Sequence, residues 1–219
     1  ARTINVAGIN VTGLDAGNYT FNTTAAATAD ITARALTVNA TGQNKVYDGS
    51  ANATVTLGDN RVAGDALTLN HTGAAFADKN AGAAKAVNVT GINVTGTDAA
   101  NYSFNPPAPA AADITARALT VSATGQNRVY DGSTAASVTL ADNRVAGDVL
   151  DIASTASFAD KHVGAGKTVS VTGISVTGAD ATNYTFNTVA ATTASITARA
   201  LTVSATGQNK VYDGTTHAN

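Results

Sequence analysis

Apolar side chains alternate with polar ones along most of the chain. Within residues 118–199, apolar residues come in pairs two positions apart: Leu119/Val121, Val138/Leu140, Leu150/Ile152, Val169/Val171, Ile174/Val176, Tyr184/Phe186 and Ile196/Ala198. Because successive side chains of a β-strand point to opposite faces, each pair places two apolar groups on one face. Asp, Asn and Gly residues between the pairs are typical of turns. The pattern predicts a series of short strands, with the Tyr184/Phe186 pair in the core.

The alternation changes phase at two places. Val169 and Val171 lie in one register, and Ile174 and Val176 lie in the other, with Gly173 between them. A glycine at such a change predicts a β-bulge or a tight bend. The second change falls within the string ITARALTV, where we expect the chain to leave one domain core and enter the next.

The chain is a tandem repeat. The string ITARALTV begins at Ile31, Ile114 and Ile196, at spacings of 83 and 82 residues. The triplet Tyr-Asp-Gly begins at Tyr47, Tyr130 and Tyr212, with the same spacings. Residues 35–117 and 118–199 are therefore expected to be complete repeats. Residues 1–34 are expected to be the C-terminal part of a preceding repeat, and residues 200–219 the N-terminal part of a following one. The junction contains no Gly or Pro, which predicts an elongated rod.

The density of short strands predicts the fold class. It favours all-β, tandem small β-sandwich repeats of the immunoglobulin-like kind. The alternative is a β-grasp-like repeat, which needs a helix, and the Ala-rich stretch near Ala108–Ala112 is the place for it. The matching stretch of the next repeat is rich in Thr, which argues against that helix. We interpret Pro106-Pro107-Ala108-Pro109 as a tolerated loop variant.

Composition supports these elements and excludes several partners. All fifteen acidic residues are Asp, so Glu is absent, and Met is absent as well. Gln occurs only at Gln43, Gln126 and Gln208, so the unbranched helix formers are scarce. Charged residues make up 13% of the chain and the net charge is −2, which gives no basis for binding nucleic acid. No apolar run approaches the roughly 20 residues of a membrane helix, so we expect no membrane insertion. The absence of Cys rules out disulfides and suits an exported bacterial protein.

The copies resemble the YDG-type repeats of large bacterial surface and secreted adhesins, including proteins of the filamentous-haemagglutinin kind. The resemblance rests on the opening LTV-ATGQN-K/R-VYDG, the NYTF-type segment and the closing ITAR, and it extends over the whole chain. It implies extracellular β-domains, at the bacterial cell surface or secreted. It implies no catalytic residues.

Structural calcium is the one cofactor with candidate ligands. Extracellular β-repeats can use calcium to stiffen a rod, and carboxylates at turns are its natural ligands. The candidates are Asp48, Asp59, Asp65, Asp131, Asp142 and Asp148. They are dispersed singly, and Asp at a turn commonly accepts from backbone N–H groups instead. The tyrosine that precedes each Asp-Gly is expected to fasten its own turn through the hydroxyl group.

These observations predict a function without catalysis. The leading hypothesis is a spacer or stalk that projects an adhesive region for attachment or biofilm formation. Its expected partners are neighbouring repeats of the same chain, with polysaccharide or host matrix bound through other regions. One alternative is that each repeat is a weak glycan- or matrix-binding module that acts by avidity. Another is a homotypic module that builds a matrix fibre through strand edges.

Overall fold

The computed structural model describes residues 1–105 and 109–217 and is all-β. The chain divides into two compact units. Unit 1 consists of Ala1–Val46 and Ser50–Thr115, and unit 2 consists of Tyr47–Gly49 and Ala116–Asn219. The three residues of the first Tyr-Asp-Gly triplet thus belong to unit 2, although the residues on both sides of them belong to unit 1.

Unit 1 is built from short strands. They are β1 (Arg2–Ala7), β2 (Thr24–Ala29), β3 (Arg34–Gly42), β4 (Lys45–Val46), β5 (Val55–Asp59), β6 (Thr68–Asn70), β7 (Gly73–Phe76), β8 (Gly82–Thr90), β9 (Asn93–Thr95), β10 (Tyr102–Asn105) and β11 (Ala110–Thr115). Two 3-10 turns, Ala16–Asn18 and Ala99–Asn101, lie between strands.

The strands of unit 1 form curled sheets of the half-barrel kind. Their orders are β1-β2, β10-β3-β5, β4-β11-β8-β7 and β6-β9. β10 pairs with β3 in parallel, and β4 pairs with β11 in parallel, whereas the other pairs are antiparallel. Each parallel pair joins strands that are distant in sequence, so the beginning and end of the repeat lie side by side in the sheets.

Unit 2 repeats this architecture. Its strands are β12 (Arg117–Leu119), β13 (Val121–Gly125), β14 (Arg128–Val129), β15 (Val138–Asp142), β16 (Asp151–Phe158), β17 (Gly164–Thr177), β18 (Tyr184–Phe186) and β19 (Ala190–Thr197), with a 3-10 turn at Ala181–Asn183. The sheet orders are β12-β18, β13-β15 and β14-β19-β17-β16. The parallel pairs recur as β12 with β18 and β14 with β19.

The cores follow the predicted alternation at most positions. Leu119, Val121, Val169 and Val171 are each at most 2% exposed, and in unit 1 Leu36, Val38 and Leu67 form the centre of a cluster. The prediction that Phe186 is a core residue is wrong, because this ring is 36% exposed. Phe186 ends a three-residue strand in a two-stranded sheet, where alternation no longer decides burial.

Two further sequence predictions can be compared with the strands. β17 runs through Gly173, whose φ is +62°, and its pairing with β16 shifts by one residue between Ala153 and Thr155. The predicted bulge at Gly173 is therefore confirmed. The prediction that Ala198 lies in the core together with Ile196 is wrong, because β19 ends at Thr197 and Ala198 is exposed.

The fold class is confirmed at the level of tandem all-β repeats. An immunoglobulin-like sandwich is not confirmed, because the sheets curl into half-barrels. The helix that a β-grasp would need near Ala108–Ala112 is replaced by strand β11 from Ala110 onwards. Ala108 and the neighbouring positions of the predicted proline loop, 106 and 107, lie outside the described residues. Within the described ranges, no helix is long and apolar enough to cross a membrane.

Gly42, at the end of β3, allows this strand to pack closely on β11. A Cβ atom at Gly42 would lie 2.8 Å from the carbonyl oxygen of Ala111. We expect Gly42→Ala to lower the free energy of unfolding by about 1–3 kcal/mol, because the backbone must move to admit the methyl group. Urea denaturation measures this change.

The matched control is Gly58→Ala, on the paired strand β5. A Cβ atom there would meet no atom within 4 Å, and the second repeat has Ala141 at this position. This substitution should change the free energy of unfolding by less than about 0.5 kcal/mol. Equal losses for the two variants would contradict the close-packing argument.

Candidate functional site

Each unit carries a turn that is closed by an Asp–Arg pair. In unit 2 the Nη2 of Arg144 lies 2.7 Å from Oδ2 of Asp142, and its Nη1 donates to the carbonyl of Leu150 at 2.8 Å. In unit 1 Arg61 makes the same contacts with Asp59 and Leu67. The guanidinium hydrogen bonds hold the pKa of Asp59 and of Asp142 below the ordinary value. The paired side chains therefore fix the turn that follows β5 or β15.

A tyrosine hydroxyl fastens the far side of this turn. In unit 2 the hydroxyl of Tyr184 accepts from the backbone N–H of Val145 at 2.9 Å and donates to Oδ2 of Asp148 at 2.6 Å. Asp180, just before the 3-10 turn that leads to Tyr184, accepts from the N–H of Val149 at 3.0 Å. We call Val145, Asp148 and Tyr184 the Asp–Tyr pocket of unit 2.

Unit 1 contains the corresponding pocket. The hydroxyl of Tyr102 accepts from the N–H of Val62 at 2.9 Å and donates to Oδ2 of Asp65 at 2.5 Å. Asp98 accepts from the N–H of Ala66 at 2.9 Å. Val62, Asp65 and Tyr102 are the Asp–Tyr pocket of unit 1. The same side chains thus make the same contacts in both units.

In unit 2 the pocket holds Tyr47, the first residue of Tyr47–Gly49. Its hydroxyl donates to the carboxyl group of Asp148, with oxygen–oxygen distances of 2.9 and 3.0 Å. Its ring meets that of Tyr184 edge to face, with centroids 5.5 Å apart and an interplanar angle of 75°. Tyr47 is 0% exposed and is the largest of the fully buried side chains. A buried tyrosine hydroxyl needs a polar partner, and Asp148 supplies it.

Strand pairing explains how Tyr47 reaches its position. β4 pairs in parallel with the end of β11, in the register Lys45↔Ile114 and Val46↔Thr115. Tyr47 follows β4 directly, and Ala116, which follows β11, is the first residue of the main segment of unit 2. The two-residue strand β4 therefore delivers the triplet to the start of that segment.

Burial differs between the two pockets at equivalent residues. Asp148 is 8% exposed and Tyr184 is 6% exposed. In unit 1 Asp65 and Tyr102 are half-buried. Asn183, in the 3-10 turn beside Tyr184, is 1% exposed, whereas its counterpart Asn101 is exposed. The pocket that contains Tyr47 is thus the more buried one.

The tyrosine pKa values follow these contacts. Burial is the largest cause that raises the pKa of Tyr184 to about 12, and the hydrogen bond to Asp148 is the second largest. The hydrogen bond to Asp65 is the main cause that raises the pKa of Tyr102. In both cases the neutral phenol, which can donate to the carboxyl group, is the form that the fold favours.

The six predicted calcium ligands are distributed over different surroundings. Asp59 and Asp142 are paired with arginine, and Asp65 and Asp148 accept from tyrosine. Asp131 accepts from the N–H of Ser133 at 2.9 Å and pairs with Arg128, and Asp48 is exposed. Among the residues that the structure describes, no three or more His, Cys or Asp side chains are grouped to hold a metal ion. Calcium binding stays a prediction.

The predicted role of the Tyr-Asp-Gly tyrosine is wrong for Tyr47. The proton of its hydroxyl group is donated to Asp148, which lies 101 residues further along the chain, and not to a group of its own turn. Tyr102 and Tyr184 are the residues whose hydroxyls fasten turns. Sequence reasoning assigned them to the core and overlooked their hydroxyls. The sequence did contain a signal for these hydroxyl contacts, because the string VAGD, with its Asp, occurs together with the tyrosine of the NYTF-type segment in both copies.

Comparison with known proteins identifies the repeat. The family model of the YDG domain matches residues 32–111 and 115–194. No curated protein and no solved structure matches the chain. Tyr47 lies within the first matched segment and Tyr130 within the second.

Gly49 lets the triplet lie against Val145. Its φ is +80°, and a Cβ atom there would lie 2.7 Å from Cγ1 of Val145. Gly132, the equivalent residue, has a φ of +87°, but a Cβ atom there would meet no atom within 4 Å. Both Gly→Ala variants should lose about 1–2 kcal/mol through backbone strain. Gly49→Ala should lose about 1–3 kcal/mol more through overpacking.

Urea denaturation of the two variants measures the difference. Both start from the same residue, turn and backbone conformation, so the strain cancels in the comparison. Equal destabilisation would show that the contact of Gly49 with Val145 does not contribute to stability.

The raised pKa of Tyr184 predicts how stability depends on pH. Because its folded-state pKa of about 12 exceeds the ordinary 10.0, its contribution is complete below pH 10 and is lost as the pH rises from 10 to about 12. We expect Tyr184→Phe to lose less stability than the unsubstituted chain over this interval. Denaturation across the interval, with tyrosinate absorbance recorded in parallel, measures both effects.

Tyr19→Phe is the matched control, because Tyr19 is 69% exposed. This variant should keep the full alkaline loss of stability. If Tyr184→Phe behaved like Tyr19→Phe, the proposed linkage at Tyr184 would be wrong.

Proposed function

The chain belongs to the YDG-domain family, and on this premise we propose that its repeats are spacer domains of a bacterial cell-surface or secreted adhesin. The spacer holds an adhesive region away from the cell for attachment or biofilm formation. Its role is structural and not catalytic, and its immediate partners are neighbouring repeats. Polysaccharide or host matrix is bound through other regions of the protein. On this proposal each repeat folds as a small immunoglobulin-like β-sandwich.

One observation supports this proposal above the others: the two units place the same side chains in the same contacts. The Arg61–Asp59 and Arg144–Asp142 pairs close equivalent turns. Asn44 and Asn127 accept from the N–H groups of Asp113 and Ser195 at 2.7 Å in both cases. A repeat whose polar contacts recur unchanged is suited to setting length, because every copy presents the same shape.

The Tyr47 contact adds a second argument. The triplet Tyr47–Gly49 lies inside the first family match and forms part of unit 2. A segment of the first matched repeat is therefore part of the second compact unit. Repeats that share segments in this way are suited to stand one after another in a long array. Nearest-neighbour coupling of this kind is typical of repeat proteins, whose stability is a sum of repeat and interface contributions.

The proposal predicts that length increases in proportion to copy number. Chains lengthened by repeating residues 118–199 once, twice and three times should increase the maximum dimension in small-angle X-ray scattering by a constant step of roughly 30–40 Å. The measurement is made in calcium and in a chelator. Steps that occur only in calcium would support the predicted metal sites.

Three outcomes would contradict the spacer proposal. The first is a maximum dimension that stays constant as copies are added. The second is binding of a matrix polysaccharide that rises steeply with copy number, which would favour the avidity alternative. Growth in the apparent mass with protein concentration would favour the homotypic fibre instead.

A further inference from the structure

We propose that the Asp–Tyr pocket of unit 1 is a binding site for the Tyr-Asp-Gly segment of another repeat. The proposal concerns a specific site and its ligand, and it holds whether the repeats act as spacers or as adhesive modules. The ligand is defined by three features: a phenol with a free hydroxyl, a tight turn, and a glycine directly after the aspartate.

The pocket of unit 1 is open and has the chemistry to bind a phenol. It has a volume of about 260 Å³, and its lining includes Val62, Asp65, Asn101 and Tyr102. Val62 is 44% exposed, and Asp65 and Tyr102 are half-buried. A carboxyl group can accept a hydrogen bond from the hydroxyl of a bound tyrosine, and the neighbouring aromatic ring can pack against the ring of that tyrosine.

The equivalent pocket of unit 2 shows what fits there. Tyr47 places its hydroxyl on Asp148 and its ring edge to face with Tyr184. Asp65 and Tyr102 are the counterparts of these two residues and already have the same mutual hydrogen bond. The binding geometry of the acceptor and the aromatic wall is therefore present in unit 1.

The ligand turn has its bound conformation whether or not its tyrosine is buried. Gly49, Gly132 and Gly214 have φ values of +80°, +87° and +79°. The tyrosines two positions before them differ widely, because Tyr47 is 0% exposed and Tyr212 is 91% exposed. In the exposed copy, Asp213 accepts from the N–H of Thr215 at 3.0 Å, which holds the turn locally. A preformed turn loses little conformational entropy on binding.

The glycine gives the site a further specificity. At Gly49 any side chain would both strain a left-handed backbone and collide with Val145. Val62 is the counterpart of Val145 in unit 1. The pocket should therefore select Gly at the third position of the triplet, as well as Tyr at the first.

A peptide titration tests the proposal on the whole 219-residue chain. The probe is the segment QNKVYDGSAN, residues 43–52. Added to the ¹⁵N-labelled chain, it should shift the amide resonances of Val62, Asp65 and residues 100–102 in NMR spectra. The Tyr→Phe peptide should bind roughly tenfold more weakly, because it lacks the donor to the carboxyl group. The Gly→Ala peptide should also bind more weakly.

Substitutions in the chain complete the test. Asp65→Asn should weaken peptide binding at least several-fold, while Asp78→Asn, an exposed carboxylate on the loop after β7, should leave it unchanged. Unchanged resonances elsewhere show that Asp65→Asn is folded. The absence of shifts at the pocket up to about millimolar peptide would overturn the proposal. Equal binding of the Tyr and Phe peptides would overturn it as well.

Discussion

The carboxyl group of Asp148 is the point on which the architecture of unit 2 depends. A buried carboxyl group is costly unless hydrogen bonds replace the water that it loses. Tyr184, from the strand that follows the 3-10 turn, and Tyr47, from a distant part of the chain, both donate to it. The same group lies in a turn that Asp142 and Arg144 close. One acceptor thus joins a turn, a strand and the triplet Tyr47–Gly49 into one compact unit.

The importance of this contact follows from the composition of the core. Aromatic residues make up 5% of the chain, and the other largest fully buried hydrophobic side chains are Val and Ile. Burying a tyrosine removes about 150–250 Å² from water, which is worth several kcal/mol at about 25 cal/mol per Å². The buried ring of Tyr47 is therefore a substantial contribution to the hydrophobic stabilisation of unit 2, beside those of Phe158 and Tyr184. That is a physical reason for a repeat to keep it in every copy.

The sequence predicts what depends on local periodicity and fails where partners are distant. Alternation places Leu119, Val121, Val169 and Val171 correctly, and the phase change at Gly173 correctly predicts the bulge. It misplaces Phe186, because the end of a short strand in a two-stranded sheet is not governed by alternation. The partner of Tyr47 could not be predicted, since nothing local connects it with a residue 101 positions away.

Distance along the chain makes Asp148 the less expected partner for Tyr47. The nearest Asp–Tyr pocket in the sequence contains Asp65, only 18 positions after Tyr47. Closing that shorter loop would cost less entropy. The pairing of β4 with the end of β11 decides the outcome, because it fixes Val46 beside Thr115 and leaves Tyr47 next to the first residues of the main segment of unit 2. The contact of Tyr47 with Asp148 thus spans the longer of the two loops, and strand pairing outweighs the entropic advantage of the shorter one.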